Sequence, residues 1–280
     1  MTVSFGLLSD THMPMRLSAL PAALFEALDG IDMLLHAGDV GELSVLDELS
    51  SLAPVVAVHG NDDSKDSQAS LPYSTLVTAA GTRILLWHSH HQSRQHEFAD
   101  RVIDAFMPKL ERISQRAREA GARVAVFGHW HIPLVRTVDG VLLINPGAVA
   151  SGNSISRQLR QTVARLDVGD DGTVSARHID LSDPHGAYDA TVRWDAGFKA
   201  TLSRYSDTIL APELVSALPQ ILAQISDEDQ AVLSSLALTL AHQCWNGEIE
   251  FIDAEMLLDA LYREPAMSAA DKERFSKLLD

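Results

Sequence analysis

The chain has 280 residues, which at about 150 residues per domain suffices for roughly two domains. Hydrophobic residues make up 46% and charged residues 21%, which excludes disordered and fibrous classes, and the single cysteine excludes a disulfide framework and an all-thiolate zinc site. The formal charge of −16, from 22 basic and 38 acidic residues, would repel nucleic acid and anionic membranes, so we expect neither as a partner.

Strands and helices alternate in the first half of the chain. Short apolar runs rich in branched residues predict strands at residues 3–8, 33–36, 55–58, 84–87, 124–127 and 141–144. Apolar residues at helical spacing predict helices over residues 17–28, 42–52 and, as one long charged helix, 94–120. This alternation favours an α/β core, with functional groups at the carboxyl ends of the strands.

The pattern changes after residue 147. Strand-like stretches at residues 158–168 and 173–181 are joined by Gly-Asp-Asp-Gly, which predicts a hairpin. Strand signals end near residue 184, and helix caps at Ser226 and Asp253 predict helices beyond it. We therefore expect one domain at residues 1–184 and an all-helical C-terminal domain at residues 185–280.

Residues that can bind metal ions recur where the predicted strands end. They are Asp10, His12, Asp39, Asn61, His88, His129 and His131. If Asp10–His12 and His129–His131 are extended, the first and third residues of each segment point the same way, into one pocket. Taken singly, such residues are ordinary helix caps and polar turns. The ordered set favours a site.

Seven ligands are too many for one tetrahedral ion and suit two ions that share a carboxylate, for which we choose Asp39. Two divalent ions carry a charge of about +4, and Asp10 with Asp39 supplies about −2. The remaining charge would hold one hydroxide and one singly charged phosphodiester.

Six ordered blocks resemble those of the calcineurin-like metallophosphoesterases, and most of all their small prokaryotic phosphodiesterase branch. The blocks are SDTH at residues 9–12, AGDV at 37–40, HGNDD at 59–63, WHSH at 87–90, GHWH at 128–131 and NPG at 145–147. The resemblance covers residues 1–181. Any one block is weak, but the ordered set is specific.

The resemblance implies an α+β fold, a four-layer αββα sandwich of two mixed β-sheets flanked by helices, here with a helical extension. It makes residues 1–184 the catalytic domain. The implied ligands are Asp10, His12, Asp39 and His131 for one ion, and Asp39, Asn61, His88 and His129 for the other. Manganese is the expected metal, although oxygen and imidazole ligands also suit iron, zinc, cobalt and nickel.

The implied activity is that of a phosphate-ester hydrolase, above all a phosphodiesterase, in which a hydroxide bridging the two ions attacks phosphorus in line. Many family members have a leaving-group histidine where this chain has Asp62. A carboxylate there repels phosphate unless it is protonated, so His90 is our candidate for a substitute acid or phosphate donor. We keep Asp62 and His90 as catalytic candidates. A further departure is Ser89, where glycine is usual.

Other histidines and charged residues have simpler explanations. We expect His36 to be a buried, hydrogen-bonded histidine rather than a ligand. The mixed charges of the 94–120 helix, Glu97 among them, indicate a solvent-facing, salt-bridged surface.

Two alternative functions stay open. One is a non-catalytic protein-binding scaffold on the same fold, and the other is a phosphomonoesterase or protein phosphatase. The expected partner is a small phosphate ester, and the C-terminal helices leave a homo-oligomeric contact open. With no apolar run near the ~18 residues of a membrane helix and no basic start of a secretory signal, we expect a cytoplasmic protein.

Overall fold

The computed structural model describes residues 1–224, 226–265 and 268–279. Its strands are β1 (Thr2–Leu8), β2 (Met33–His36), β3 (Val55–Ala57), β4 (Ser74–Ala79), β5 (Thr82–Trp87), β6 (Val124–Phe127), β7 (Leu134–Val138), β8 (Val141–Asn145), β9 (Ser156–Gln158), β10 (Thr162–Gly169), β11 (Val174–Asp180) and β12 (Ser206–Thr208). Its helices are α1 (Ala22–Ala27), α2 (Ser44–Leu49), α3 (Lys65–Ser70), α4 (Arg94–Arg101), α5 (Phe106–Glu119), α6 (Phe198–Leu202), α7 (Pro212–Gln224), α8 (Asp227–Trp245), α9 (Ala254–Arg263) and α10 (Ala269–Leu279).

Two mixed five-stranded sheets form the first part of the chain. The first has the strand order β11-β10-β1-β2-β3 and the second β4-β5-β6-β8-β7, while β9 and β12 make a separate pair. In the first sheet β1, β2 and β3 run parallel, and β10 and β11 add antiparallel pairs. In the second sheet β5, β6 and β8 run parallel, and the edge strands β4 and β7 pair antiparallel. The carboxyl ends of the parallel strands therefore lie at one edge of each sheet.

Alternation along the strands builds three apolar layers. Leu7 and Leu35 of the first sheet pack against Ile84 and Val126 of the second, so the sheets stack face to face. The neighbouring residues point outward. Leu8 and Leu34 belong to a cluster with α1 and α2, and Leu85 and Phe127 to a cluster with α5. The four-layer αββα sandwich is confirmed.

The long helix predicted over residues 94–120 is wrong in one respect, because it is two helices, α4 and α5. Pro108 lies in the first turn of α5, and within a continuous helix its ring would clash with the carbonyl of residue 104. Proline is tolerated in a first turn, so the helix begins anew at Phe106.

Two antiparallel strands that the sequence analysis did not predict, β4 and β7, are each paired through a tight turn. Asp139 and Gly140 join β7 to β8 with φ values of 47° and 79°, and Ala80 and Gly81 join β4 to β5 with 47° and 74°. Two consecutive positive φ values are the mark of a type I′ hairpin. The predicted hairpin of β10 and β11 is present, with Val168 opposite Val174.

The chain forms two compact units that differ from the predicted boundary at residue 184. One comprises residues 1–151 and 158–206, and the other residues 152–157 and 207–280. The second unit has its own apolar core, built around Leu214, Leu257, Leu261 and Phe275. The predicted caps are present, since Ser226 accepts from the Asp229 N–H and Asp253 from the Met256 N–H. Within the described residues, no helix has the length and apolarity needed to cross a membrane.

Candidate metal centre

Most of the predicted ligands occupy turns at the carboxyl ends of parallel strands. Asp10 and His12 follow β1, and hydrogen bonds from their N–H groups to Gly38 O (3.0 Å) and Asp39 O (2.9 Å) fasten this turn to the turn after β2. Asp39 follows β2, His88 follows β5, and His129 and His131 follow β6. The turns of both sheets therefore meet around one buried cluster.

The extended geometry assumed for the paired ligands is wrong. The φ values of Asp10, His12, Asp39, His129 and His131 lie between 44° and 73°, in the left-handed region. Left-handed residues are uncommon outside glycine, and Asn, Asp and His adopt the conformation more readily than other types. The ligands converge because each turn curls around the cluster, and not because alternate residues of a strand share a face.

Six of the seven predicted ligands form two groups. Asp10, His12 and His131 make the first, with His131 Nε2 3.2 Å and His12 Nε2 3.7 Å from Asp10 Oδ1.

Asp39, His88 and His129 make the second group, in which His88 Nε2 lies 3.1 Å from Asp39 Oδ2. His12 Nε2 is also 3.7 Å from Asp39 Oδ2. Asp39 thus contacts both groups, in the position predicted for a bridging carboxylate.

Asn61, the seventh predicted ligand, is placed differently. Its side chain is exposed and its amide nitrogen donates to Asp62 Oδ1 at 2.8 Å. The neighbouring backbone is closer to the cluster, since the Asp62 N–H donates to Asp39 Oδ1 at 2.8 Å. Asn61 therefore adjoins the second group through the backbone of its neighbour Asp62, and its role as a ligand stays a prediction.

The centre is electrostatically suited to cations. Burial raises the pKa of Asp39, but His88 and His12 outweigh it and hold that pKa well below its usual value. Burial lowers the pKa of His88, but Asp39 and Asp10 outweigh it and raise that pKa to about 10. His88 is then protonated at neutral pH, so the buried carboxylates keep a proton on an imidazole that a divalent cation could replace.

Two buried atoms at the cluster have no hydrogen-bond partner, Asp10 Oδ1 and His88 Nε2. Both are atoms of a type that binds metal ions, and each has a charged neighbour at short distance without the alignment of a hydrogen bond. Leaving buried polar groups unsatisfied costs about 1–3 kcal/mol each. His88 Nδ1 contacts Ala37 O at 2.7 Å, which directs Nε2 toward Asp39. The residues present fit divalent metal ions.

Close backbone approach explains two residues between the ligands. An added Cβ at Gly60 would lie 2.7 Å from Asp39 Cγ, so this position has no room for a side chain. Ser89, between His88 and His90, has a φ of 79°, in the left-handed region that favours glycine.

The two predicted catalytic residues have unexpected surroundings. Asp62 Oδ2 pairs with Arg16 Nη2 at 2.7 Å, which offsets the repulsion of phosphate expected from a lone carboxylate. His90 is buried, and its ring centroid lies 5.4 Å from that of His88. Burial, together with the neighbouring His88 and His129, lowers the pKa of His90 to about 3. A neutral His90 is better suited to donate a hydrogen bond than to release a proton at neutral pH. The catalytic roles of both residues stay predictions.

Sequence reasoning missed two residues at the centre. Arg16 Nη1 lies 3.1 Å from His12 Nδ1, four residues along the chain. Glu97, expected in a solvent-facing surface, has Oε1 2.7 Å from His129 Nε2, and its side chain is only 14% exposed. Its helix is brought to the centre by tertiary packing, and nothing in a mixed charge run distinguishes it. His36, by contrast, is buried and hydrogen-bonded to Thr11 Oγ1 (3.0 Å) and the Gly38 N–H (3.2 Å), as predicted.

Comparison with known proteins shows that this chain is similar to metallophosphoesterases. A probable metallophosphoesterase of Methanothermobacter thermautotrophicus is 34% identical over 143 residues, which cover 51% of this chain and 75% of that protein. A probable metallophosphoesterase of Methanocaldococcus jannaschii is 30% identical, with coverage of 60% and 78%. A phosphodiesterase of the same archaeon is 24% identical, with coverage of 52% and 83%. The sequence profile of the calcineurin-like phosphoesterase superfamily domain matches residues 3–171, and the chain belongs to that superfamily.

Proposed function

We propose that the protein is a metal-dependent phosphodiesterase that uses two divalent ions, with manganese the expected metal. The observation that carries the proposal is that two groups of His and Asp side chains meet at Asp39. Each group contains a buried polar atom without a hydrogen-bond partner, Asp10 Oδ1 in one and His88 Nε2 in the other. The name of the phosphodiesterase relative from Methanocaldococcus jannaschii supports the choice of diester over monoester.

The chain supplies two sets of ligands around the shared Asp39. Asp10, His12 and His131 would hold one ion, and His88 with His129 the other. Divalent ions in this centre would offset negative charge on the phosphoryl oxygens and lower the pKa of water, so that hydroxide is available near neutral pH. In-line attack of such a hydroxide on phosphorus would break the P–O bond to the leaving group, and the departing alkoxide would take up a proton from water to leave as the alcohol.

Arg16 neutralises a carboxylate next to the candidate metal centre. Its guanidinium lies between the His12 ring and Asp62, with Nη2 2.7 Å from Asp62 Oδ2. Because Asp62 would otherwise present an unpaired negative charge to an incoming phosphate, the ion pair favours binding of the substrate. His90 can supply one hydrogen bond from its neutral ring on the other side of the centre.

A cavity of about 370 Å³ beside His12 is the candidate site for the esterified group. Met13, Pro14 and Met15 give it an apolar wall, and Glu42 and Asp62 add carboxylates. Acidic residues disfavour a second phosphate on the substrate, which supports a small diester with an uncharged organic group over a nucleic acid. Flexible methionines adapt to groups of varied shape.

The test is hydrolysis of bis(p-nitrophenyl) phosphate by the purified full chain with Mn²⁺, Zn²⁺, Co²⁺, Ni²⁺ or Fe²⁺. We expect turnover that Asp39→Asn and His88→Ala each reduce by at least about 10³-fold. His185→Ala is the matched control, because His185 has a side chain that is 79% exposed, and it should retain wild-type rates.

Three outcomes would reject the proposal. Wild-type rates in Asp39→Asn at matched metal content would place catalysis elsewhere. A chain that binds two ions but turns over neither diesters nor monoesters would instead support the protein-binding scaffold. Turnover of p-nitrophenyl phosphate alone would support a phosphomonoesterase.

A further inference from the structure

A second cavity, of about 460 Å³, is lined by Trp87 and His91, which flank the His88–His90 turn. Trp87, which precedes His88, forms part of its wall, and so do residues of α5 and the turn after β5. Tyr73 also lines it and donates from its hydroxyl to His90 O at 2.6 Å. None of the residues lining this cavity belongs to any of the three groups of candidate metal ligands among the described residues.

Two arginines of α5 line the cavity without a carboxylate partner. Arg112 and Arg116 stack on the Trp87 ring, with guanidinium carbons 5.0 and 4.7 Å from its centroid, and Arg116 also stacks on Tyr73 at 5.4 Å. Neither forms an ion pair with any residue that the structure describes. In a chain of net charge −16, two arginines that share an aromatic support and have no counter-charge are unusual.

The geometry of each guanidinium is fixed by one hydrogen bond. Arg112 Nη2 donates to Ser89 O at 2.7 Å, and Arg116 Nη2 donates to Ser74 Oγ at 3.0 Å. Since stacking and these bonds hold the planes in place, the Nη1 groups are preorganised donors for a ligand in the cavity. Preorganisation lowers the entropy lost on binding.

The acidic residues nearest to the arginines are already paired elsewhere. Asp100 Oδ2 pairs with Lys109 Nζ at 2.7 Å, and Glu97 Oε1 lies 2.7 Å from His129 Nε2. Glu119 is the acid that lines the cavity itself, and its Oε1 accepts from Gln115 Nε2 at 2.9 Å. The cavity therefore has two positive side chains against one negative side chain.

Four nitrogens of the lining residues have no hydrogen-bond partner. Two are the Nε atoms of Arg112 and Arg116, and the other two belong to aromatic rings. One is Nε1 of Trp87, a side chain that is only 3% exposed. The other is Nε2 of His91, which is 4.0 Å from Asp100 Oδ1 and thus beyond hydrogen-bond distance. Buried N–H groups without acceptors are rare in proteins, and a ligand with several acceptor oxygens would satisfy them.

We propose that this cavity binds a phosphate-type oxyanion, as orthophosphate or as the terminal phosphate of a monoester, at Arg112 and Arg116. A tetrahedral anion offers acceptor oxygens in several directions, which suits donors that come from α5, β5 and the turn after it. Arginine is the side chain best matched to such oxygens. The site is separate from the metal centre and does not depend on the proposed diesterase activity.

The test is isothermal titration of the full chain with inorganic phosphate and, separately, with phenyl phosphate. Both are measured after chelation of metal ions, so that binding at the metal centre does not contribute. We expect one site with a dissociation constant of about 1 mM or tighter, weakened at least about tenfold by Arg116→Gln. Tighter binding of phenyl phosphate would identify a monoester as the ligand, and equal or weaker binding would identify orthophosphate.

Arg118→Gln is the matched control, because it removes the same charge from the same helix at a side chain that is 53% exposed. It should change the affinity by less than about twofold. No binding by the wild type, or equal losses in the two variants, would overturn the proposal. If Arg116→Gln does not fold, tungstate soaked into crystals of the wild-type chain decides, with an anomalous peak at Arg112 and Arg116 expected and its absence contradicting the site.

Discussion

Replacing Gly60 with alanine tests whether the position of Asp39 governs metal binding. An alanine Cβ would lie 2.6 Å from Asp39 N and 2.7 Å from Asp39 Cγ, where ordinary contacts begin at 3.4 Å. Asp39 or the segment around Gly60 must therefore move by at least about 0.8 Å, since the added Cβ would lie closer still to Asp39 Oδ1. Overpacking of this kind lowers the free energy of unfolding by about 1–3 kcal/mol. Replacing glycine with alanine also reduces the conformational entropy of the unfolded chain, which offsets about 0.4–1 kcal/mol of that loss.

The expected loss of stability is thus about 1–2 kcal/mol, and the effect on metal binding is larger. Asp39 contacts both groups of ligands, so its displacement should lower the affinity for both ions. We expect a loss of about 10–100-fold, the size seen when residues that position metal ligands are replaced. Urea denaturation after chelation measures the free energy of unfolding. Competition with a chromogenic chelator measures the affinity for Mn²⁺ or Zn²⁺.

Gly140→Ala is the control for this experiment. Gly140 has a φ of 79° and no atom within 4 Å of an added Cβ, so alanine there costs about 1 kcal/mol through backbone strain alone. Its metal affinity should equal that of the wild type. A Gly60→Ala chain that binds two ions with wild-type affinity would refute the role given to Asp39.

Three further substitutions test the surroundings of the centre. Burial lowers the pKa of His36 to about 3, so the folded chain keeps this histidine neutral. The unfolded chain takes up a proton on it below about pH 6.5. The contribution of neutral His36 to the free energy of unfolding is therefore fully present above pH 6.5 and is lost as the pH falls toward 3. The destabilisation by His36→Asn, measured by urea denaturation after chelation, should therefore shrink by up to about 3 kcal/mol from pH 7.5 to 4.5, and a difference independent of pH would contradict it. Glu97→Ala should speed amide hydrogen exchange across α4, which has no buried side chain, but not across α5, and unchanged exchange in α4 would show that Glu97 does not hold it. Arg16→Gln should raise the KM for bis(p-nitrophenyl) phosphate about tenfold, because it removes the ion pair of Asp62. Adding Asp62→Asn to this variant should restore most of the lost substrate affinity. An unchanged KM in the double variant would assign Arg16 another role.

The sequence predicted the α/β core and most of the residues of the candidate metal centre because their signals are local, whereas the two-sheet sandwich was implied by the family resemblance. A buried parallel strand is a short apolar run, and the residues that follow it lie at the same sheet edge as those that follow its neighbours. Asp10, Asp39 and His88 could thus be brought together without knowledge of their turns. The family blocks added the pairing of ligands, and six of the seven lie in the two groups around Asp39.

Other features were missed although a local signal was present. Pro108 marks the start of α5, and Asp139–Gly140 is a strong hairpin signal that identifies β7 and β8. The left-handed turns at Asp10 and His129 were mistaken for extended chain, since a short ligand segment contains too few residues for its conformation to show in a pattern.

Glu97 and the arginine pair belong to a third kind of feature. Charged residues of one helix look alike in sequence, and only packing decides which of them are drawn inward. Glu97 faces His129, and Arg112 and Arg116 lie over Trp87, because α4 and α5 dock on the second sheet beside the metal centre. Such partners depend on distant parts of the chain, which a periodicity cannot show.

The most direct test of the account is anomalous diffraction from crystals of the full chain loaded with Mn²⁺. We expect two peaks on either side of Asp39, one also bound by Asp10, His12 and His131, and the other by His88 and His129. A single peak, or no peak at Asp39, would contradict the two-metal centre on which the proposed diesterase activity depends.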